Sequence, residues 1–416
     1  MMKKLIILLF MSHILWATNG MKSIGFGNKN VAMGGAGVAL HLDPMTMANN
    51  PAGLVEVEDS LSLGLEIFSP RRTFSTEDAD LFGAGAPGRE EDSDSNFFFI
   101  PHFAVKSDII PGRLSTGIAI FGQGGMNTDY NKGPFENVQP PGSPGIDEHR
   151  GVDLAHLFIT PTMSINLWKG VNFGFSPIIG LASFKSSSFQ PDGNVNPGSN
   201  ERNYAFGFGG QFGLQIEPIE NLILGALYRT EVYFSGFNDY EDVFVASNGS
   251  INTPPLMAFG ISYKIMDVTL AFDYERQFYT VVDTIGTSTL NGGFGWNDIN
   301  AFKLGAAYDI NENWTIRAGY NYGDSPISDG DVFANVLAPG VTQHHVTCGA
   351  TLSFGNWEID LTYMYAFNHT QRQNNQRLGA ALNSQGTKIE MYQHNIGIGL
   401  VWKFGVVNKE EVKDEL

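Results

Sequence analysis

"NYAFGFGGQFGLQI", Asn203 to Ile216, sets Tyr204, Phe206, Phe208, Phe212, Leu214 and Ile216 on one parity and Asn203, Ala205, Gly207, Gly209, Gln211 and Gln215 on the other. Successive strand side chains point to opposite faces, so this is a β-strand with one apolar face and one small or polar face. The same alternation returns in "DSLSLGLEIF" (59–68), "NWEIDLTYMYAF" (356–367) and "HNIGIGLVWKF" (394–404). Fourteen such segments follow one another: 59–74, 96–107, 112–123, 151–168, 171–184, 203–217, 221–237, 254–266, 267–280, 297–309, 313–323, 341–354, 356–370 and 388–404. The connections alternate in length. "WKG" (168–170), "EPIEN" (217–221), "INEN" (310–313) and "FGN" (354–356) are short, whereas 75–95, 124–150, 185–202, 238–253, 281–296, 324–340 and 371–387 are long.

Short turns on one rim and long polar loops on the other are the pattern of an outer-membrane barrel. The polar parity, rich in Gly, Ser, Gln, Asn and acids, then faces a wet or ligand-holding lumen. Trp168, Tyr233, Tyr279, Trp314, Tyr322, Trp357 and Trp402 fall near strand ends, where interfacial aromatic girdles belong. An even strand count closes the sheet and removes its edges. A secreted sandwich or propeller is the rival, but no fixed internal period marks repeated blades. The expected fold is therefore all-β, a 14-stranded antiparallel transmembrane β-barrel.

Composition agrees. The 416-residue chain carries a net charge of −18, with only 16% charged residues and a mean hydropathy of −0.09. Beyond the N-terminus there is no apolar run long enough for a spanning helix, and no basic stripe for nucleic acid. The single Cys348 excludes an intrachain disulfide framework. "MMKKLIILLFMSHILWATNG" orders two lysines, an apolar stretch and small residues, as a secretory signal does; cleavage is expected after Ala17, or after Gly20. Export plus an even antiparallel barrel points to a Gram-negative outer membrane. The tail 405–416 is then periplasmic. Its last four letters, "KDEL", match an ER-retention address that a bacterium has no use for. Twelve residues follow Phe404, although such barrels commonly end on an aromatic.

"SIGFGNKNVAMGGAGVALHLDPMTMANNPAGL" (23–54) resembles the N-terminal hatch of the FadL family of outer-membrane transporters for long-chain fatty acids and other hydrophobic compounds. The family's Asn-Pro-Ala motif is matched by Asn50, Pro51 and Ala52. "TGIAIFGQGGMNTDYN" (116–131), "LYRTEVYFSG" (227–236), "PPLMAFGISY" (254–263), "FKLGAAYDINENWTIRAGYNYGDSPI" (302–327) and "HHVTCGATLSF" (344–354) are similar to its third, middle and late strands. The resemblance implies a hatch over residues 18–58, a barrel over 59–404 and passive uptake. Ligand would enter from an outer groove and leave sideways through the wall at a kinked third strand. An apolar route keeps about 0.8 kcal/mol per CH₂ buried throughout.

Several residues are singled out. Pro51 fixes φ and holds Asn50 extended, a stiff element fit to seat a hatch. Gly122, Gly124 and Gly125 interrupt the third strand, as at a bulge or a gate, or at the strand's end. Met126, Tyr130, Phe135 and Val138 mix apolar groups into loop 124–150 and are outer-groove candidates. Arg229, Glu231, Lys303 and Arg317 share the lumen-facing parity. Arg229, Lys303 and Arg317 are candidates for a ligand carboxylate, or for internal ion pairs with Glu231, Glu358 or Asp360. The acid run 89–95 is expected in a solvated outer loop. No metal-ligand spacing, nucleophile–base grouping or cofactor motif stands out, and His344 and His345 point to opposite faces. The expected partners are a long-chain fatty acid or other hydrophobic small molecule, outer-membrane lipid and lipopolysaccharide, with the chain a monomer. A polar-solute porin and an outer-membrane lipid hydrolase are the alternatives.

Overall fold

Alternating sequence becomes a closed wall. The computed structural model describes residues 19–77, 88–132, 150–187, 202–241, 244–374 and 386–404. The expected signal, the tail, Phe135 and Val138 lie outside the described residues. Fourteen strands form the barrel: β1 Ser60–Thr76, β2 Phe98–Ile110, β3 Leu114–Tyr130, β4 Arg150–Trp168, β5 Val171–Ser186, β6 Asn203–Ile219, β7 Leu222–Arg229, β8 Leu256–Ile265, β9 Val268–Gln277, β10 Ile299–Asp309, β11 Trp314–Gly323, β12 His344–Phe354, β13 Trp357–Arg372 and β14 Lys388–Lys403. Neighbours are antiparallel, and β14 pairs back onto β1 from Ser60↔Lys403 to Ser75↔Lys388. Two short strands are added, Arg89–Asp92 on the outer end of β1 and Tyr233–Phe234 on β6.

The sides are those of a membrane barrel. Phe206 and Phe208 are each 68% exposed, while Ala205 and Gln211 between them in parity are buried. An apolar exterior around a polar interior is stable only where lipid, not water, surrounds the wall. Trp168, Trp314, Trp357 and Trp402 stand exposed at the short-turn rim, and Trp357 stacks on Trp402 with ring centroids 5.7 Å apart. Tyr279, expected in a girdle, instead turns inward and is fully buried.

Three boundaries differ from expectation. β3 does not stop at 123 but continues to Tyr130, so Met126 and Tyr130 are strand residues, buried inside the barrel rather than in an outer loop. The glycines hid the continued alternation of buried Met126, Thr128 and Tyr130 with part-exposed Asn127 and Asp129. β7 ends at Arg229, short of the expected 237. There the Thr230 hydroxyl accepts from Gly210 N at 3.0 Å, a side chain taking over a ladder donor. Glu231 therefore lies beyond the strand, where it accepts from Asn252 at 2.8 Å. The acid run 89–95 is not simply a solvated loop, since Arg89–Asp92 pairs with β1.

Residues 19–58 lie inside the barrel. They form α1 (Asn28–Ala32), α2 (Thr46–Asn49) and a 3₁₀ turn over Pro51–Glu56, almost all buried. The segment starts near the long-loop end, where Met21 N meets Tyr279, and finishes beside Ser164 and Asn172 near the short-turn rim.

Candidate functional site

Among the described residues the ladder lapses at 160–162 of β4, where the same register resumes, and it ends early between β2 and β3. β2 and β3 pair only as far as His102↔Phe121. Beyond that point β2 residues 98–101 pair with β1 alone, and β3 residues 122–128 have no partner on β2 among the described residues. Two local causes are visible. Pro101, with no N–H, stands next to the last pair, and Gln123 is an extra residue between Gly122↔Leu157 and Gly124↔His156. This bulge re-aims β3 away from β2. The glycines thus mark a bulge and not the strand's end. A Cβ on Gly125 would lie 2.1 Å from Leu154 O.

The vacated edge is taken from inside. Lys22 pairs with Gly124, Gly125 N donates to Met21 O at 3.1 Å, and Ser23 N donates to Gln123 O at 3.4 Å. A Cβ on Gly124 would sit 1.7 Å from Met21 O, so only glycine admits this arm. The outer end of the gap is bridged by Arg72, which donates to the carbonyls of Asn127 and Ser95 and lies over the Phe98 ring. On the lumen side the gap adjoins an apolar lining: Phe26 against Phe121 at 4.5 Å, Phe74 edge-on to Tyr130 at 4.7 Å, and Met126 and Phe158 in the same cluster.

The Asn50–Pro51–Ala52 motif lies at the other end of the internal segment. Asn50 is extended (φ −157°, ψ 113°), as the following proline requires, and its Oδ1 caps the 3₁₀ turn by accepting from Ala52 N at 3.1 Å. Its Nδ2 donates to Val38 O at 2.7 Å and reaches Ala226 O on β7 at 3.4 Å. Pro51 and Asn50 rest on the cross-strand pair Gly174↔Gly213. A Cβ there would lie 2.2 Å from Pro51 C, or 1.9 Å from Asn50 Oδ1. Ser164 on β4 donates to Ala52 O at 2.9 Å.

The three candidate cations differ. Lys303 donates to Glu275 at 3.0 Å and to Ile24 O at 2.9 Å, so it is an internal pair that holds the segment. Arg317 donates to Thr351, which donates to Asp360. Arg229, fully buried, donates to Gln211 Oε1 at 2.9 Å and to Ala48 O at 3.1 Å. It lies 5.6 and 5.7 Å from the ring centroids of Phe26 and Phe158, and its Nη1 has no partner.

Parity alone would have exposed two carboxylates that the sequence reading passed over, Asp273 and Glu275 on β9. Asp273 accepts from Gly37 N at 2.7 Å and Val38 N at 3.0 Å. Glu275 accepts from Lys22 at 3.1 Å, from Lys303 and from Gln277. Burial pushes the Lys22 ammonium down to about 7, with Glu275 the main pull the other way. Tyr279, at the end of the expected segment 267–280, shares the parity of Asp273 and Glu275, whereas Trp296 falls in a loop and carried no sequence signal of an inward position.

A closed, lipid-girdled barrel with its N-terminal segment folded inside it defines an outer-membrane protein. The family model described as "Outer membrane protein transport protein (OMPP1/FadL/TodX)" matches residues 17–404, and the chain belongs to that family. In fold it is similar to the Pseudomonas putida toluene transporter TodX, at 16% identity and a TM-score of 0.67 over 92% of this chain and 99% of that one. It is also similar to the Ralstonia pickettii toluene transporter TbuX (20%, TM-score 0.65, 92% and 99%) and to a Pseudomonas aeruginosa FadL homologue (14%, 0.67, 93% and 100%). No curated protein matches.

Proposed function

We infer that this barrel admits hydrophobic small molecules, long-chain fatty acids or hydrocarbons, and releases them sideways into the bilayer through the β2–β3 gap. Residues 19–58 act as the hatch. The gap itself carries this reading: the ladder stops at His102↔Phe121 while β3 runs on to Tyr130, beside an apolar lumen. An apolar solute gains nothing from a watery pore and loses nothing by passing from Phe26, Phe121, Met126 and Tyr130 to lipid. Arg229 is the group to meet a ligand carboxylate, because its Nη1 is buried without a partner and a carboxylate there would meet an unmet donor. The protein works as a monomer among outer-membrane lipid and lipopolysaccharide, and the reading needs no catalytic step.

The test compares uptake of labelled oleate and toluene by cells carrying the chain with arabinose flux in liposome swelling. Hydrophobic uptake without sugar flux is expected. Sugar flux like that of an open porin would overturn the reading. Deleting Gln123 together with Pro101→Val restores a regular β2–β3 register and should abolish most uptake from a barrel that still assembles. Arg229→Met should lower uptake of oleate and spare toluene.

A further inference from the structure

Among the described residues three glutamates are buried, and two of them are compensated by lysines. Glu275 holds Lys22 and Lys303, and Glu358 holds Lys29 and Lys403. Each of these carboxylates therefore faces two positive charges. Glu66, on β1, is buried as deeply as Glu275, yet among the described residues it pairs with no lysine or arginine. A buried carboxylate without a compensating charge is costly.

The groups around Glu66 are of the kind that bind a cation. Asn395 Nδ2, from β14, donates to Glu66 Oε2 and so orients the carboxylate. The other oxygen, Oε1, faces Nδ1 of His102 on β2 at 3.8 Å, too far for a hydrogen bond. The imidazole lies over Gly64, where a Cβ would stand 2.1 Å from its Nε2. Asn28, the first residue of α1, completes the cluster from the internal segment. A Cβ on Gly397 would lie 2.6 Å from Asn28 Oδ1 and 3.2 Å from Glu66 Cγ, so the amide and the carboxylate arm cover the same glycine. Asn28 is buried, and neither of its amide atoms has a hydrogen-bond partner. An imidazole nitrogen, a carboxylate oxygen and an amide oxygen thus gather from β2, β1 and α1.

We propose that Glu66, His102 and Asn28 hold a divalent first-row transition cation inside the barrel. Such an ion gives Glu66 the two positive charges that Glu275 and Glu358 draw from lysines. Tetrahedral ligands at about 2.1 Å from a metal stand roughly 3.4 Å apart. The 3.8 Å between Oε1 and Nδ1 therefore closes on an ion with a small side-chain turn. The imidazole favours Zn²⁺ over Mg²⁺ and Ca²⁺, and the two oxygens also suit Mn²⁺. The bound ion ties α1 of the internal segment to β1 and β2, independently of the transport reading.

The full-length mature protein, without a polyhistidine tag, tests this when purified in detergent from cells grown with added Zn²⁺ and then dialysed. Elemental analysis should find Zn²⁺ retained in a one-to-one ratio, and Ca²⁺ supplied the same way should be lost. Assembled Glu66→Gln and His102→Gln barrels should retain none. Asn395→Ala should bind about ten- to a hundredfold more weakly, the scale for a residue that orients a ligand. Because a variant barrel can fail to assemble, the wild type carries a second readout. The electron spin echo of bound Mn²⁺ should be modulated by one histidine nitrogen. No retained Zn²⁺, equal retention of Ca²⁺, a wild-type ion without a histidine nitrogen, or full Zn²⁺ in assembled His102→Gln each overturns the site.

Discussion

The internal segment is held differently at its two ends. Residues 19–24 are fixed by charged and hydroxyl groups from distant strands, converging on Glu275 and Tyr279. Residues 50–52 are fixed by shape: backbone pressed onto Gly174 and Gly213, a capped turn and a proline. Side-chain polar contacts can be exchanged for other polar contacts at little net cost, because each lost partner can be replaced by a ligand or by water. Backbone packed on glycine has no such substitute. The comparison teaches which end can move while the other stays. The arm is held by exchangeable polar groups, and the Asn-Pro-Ala seat by packed backbone.

The largest break in this comparison comes from filling the seat. Gly174→Leu puts carbon where Pro51 C now lies 2.2 Å away. Over-packing of this kind costs about 1–3 kcal/mol or more, and here the obstacle is backbone. The barrel should still assemble, as judged by heat-modifiable migration on a gel, but the segment should leave its place and ion conductance should appear in planar bilayers. Unchanged conductance would mean the seat is dispensable. Asn50→Ala is milder. It removes the cap on Ala52 N, at about 1–3 kcal/mol for a buried donor left unsatisfied, and one of two donors to Val38 O, which Gln215 still reaches at 2.9 Å. Uptake should fall with assembly intact, and wild-type uptake would remove the motif from the mechanism.

Much of this was legible in the sequence. Strict parity in segments such as 203–216 gave strands, faces and closure, because a lipid-facing strand must alternate along its full length. The seat was legible too, since Asn50-Pro51-Ala52 is a local arrangement. What escaped was everything that depends on a residue breaking its own pattern. Gly122, Gly124 and Gly125 erased the alternation that carries β3 to Tyr130, so Met126 and Tyr130 were expected outside the barrel and are found within it. Lys303 was legible as inward-facing. That its partner is Glu275 rather than Glu231, Glu358 or Asp360 depends on register between strands, which no single strand encodes. The Lys22–Glu275 pair is further out of reach, because the two residues are brought together only by the closed barrel.

The smallest effect probes the seat end through Asp43, whose Oδ1 accepts from Met45 N at 2.7 Å just ahead of α2. Burial lifts its carboxyl from 3.8 to about 6, against the pull of Lys29 and with a further push from Asp360 and Glu358. The packed segment therefore binds more protons than the released one between these values. The stabilisation from this group is complete below 3.8 and is lost as pH rises through about 6. Moving from pH 7 to 5 should tighten the seat end by about 1 kcal/mol. The measure is the urea concentration at which amides 43–49 lose exchange protection, read for wild type and Asp43→Asn at each pH. The variant should show no such gain on acidification. If both proteins respond alike, Asp43 is not the titrating group.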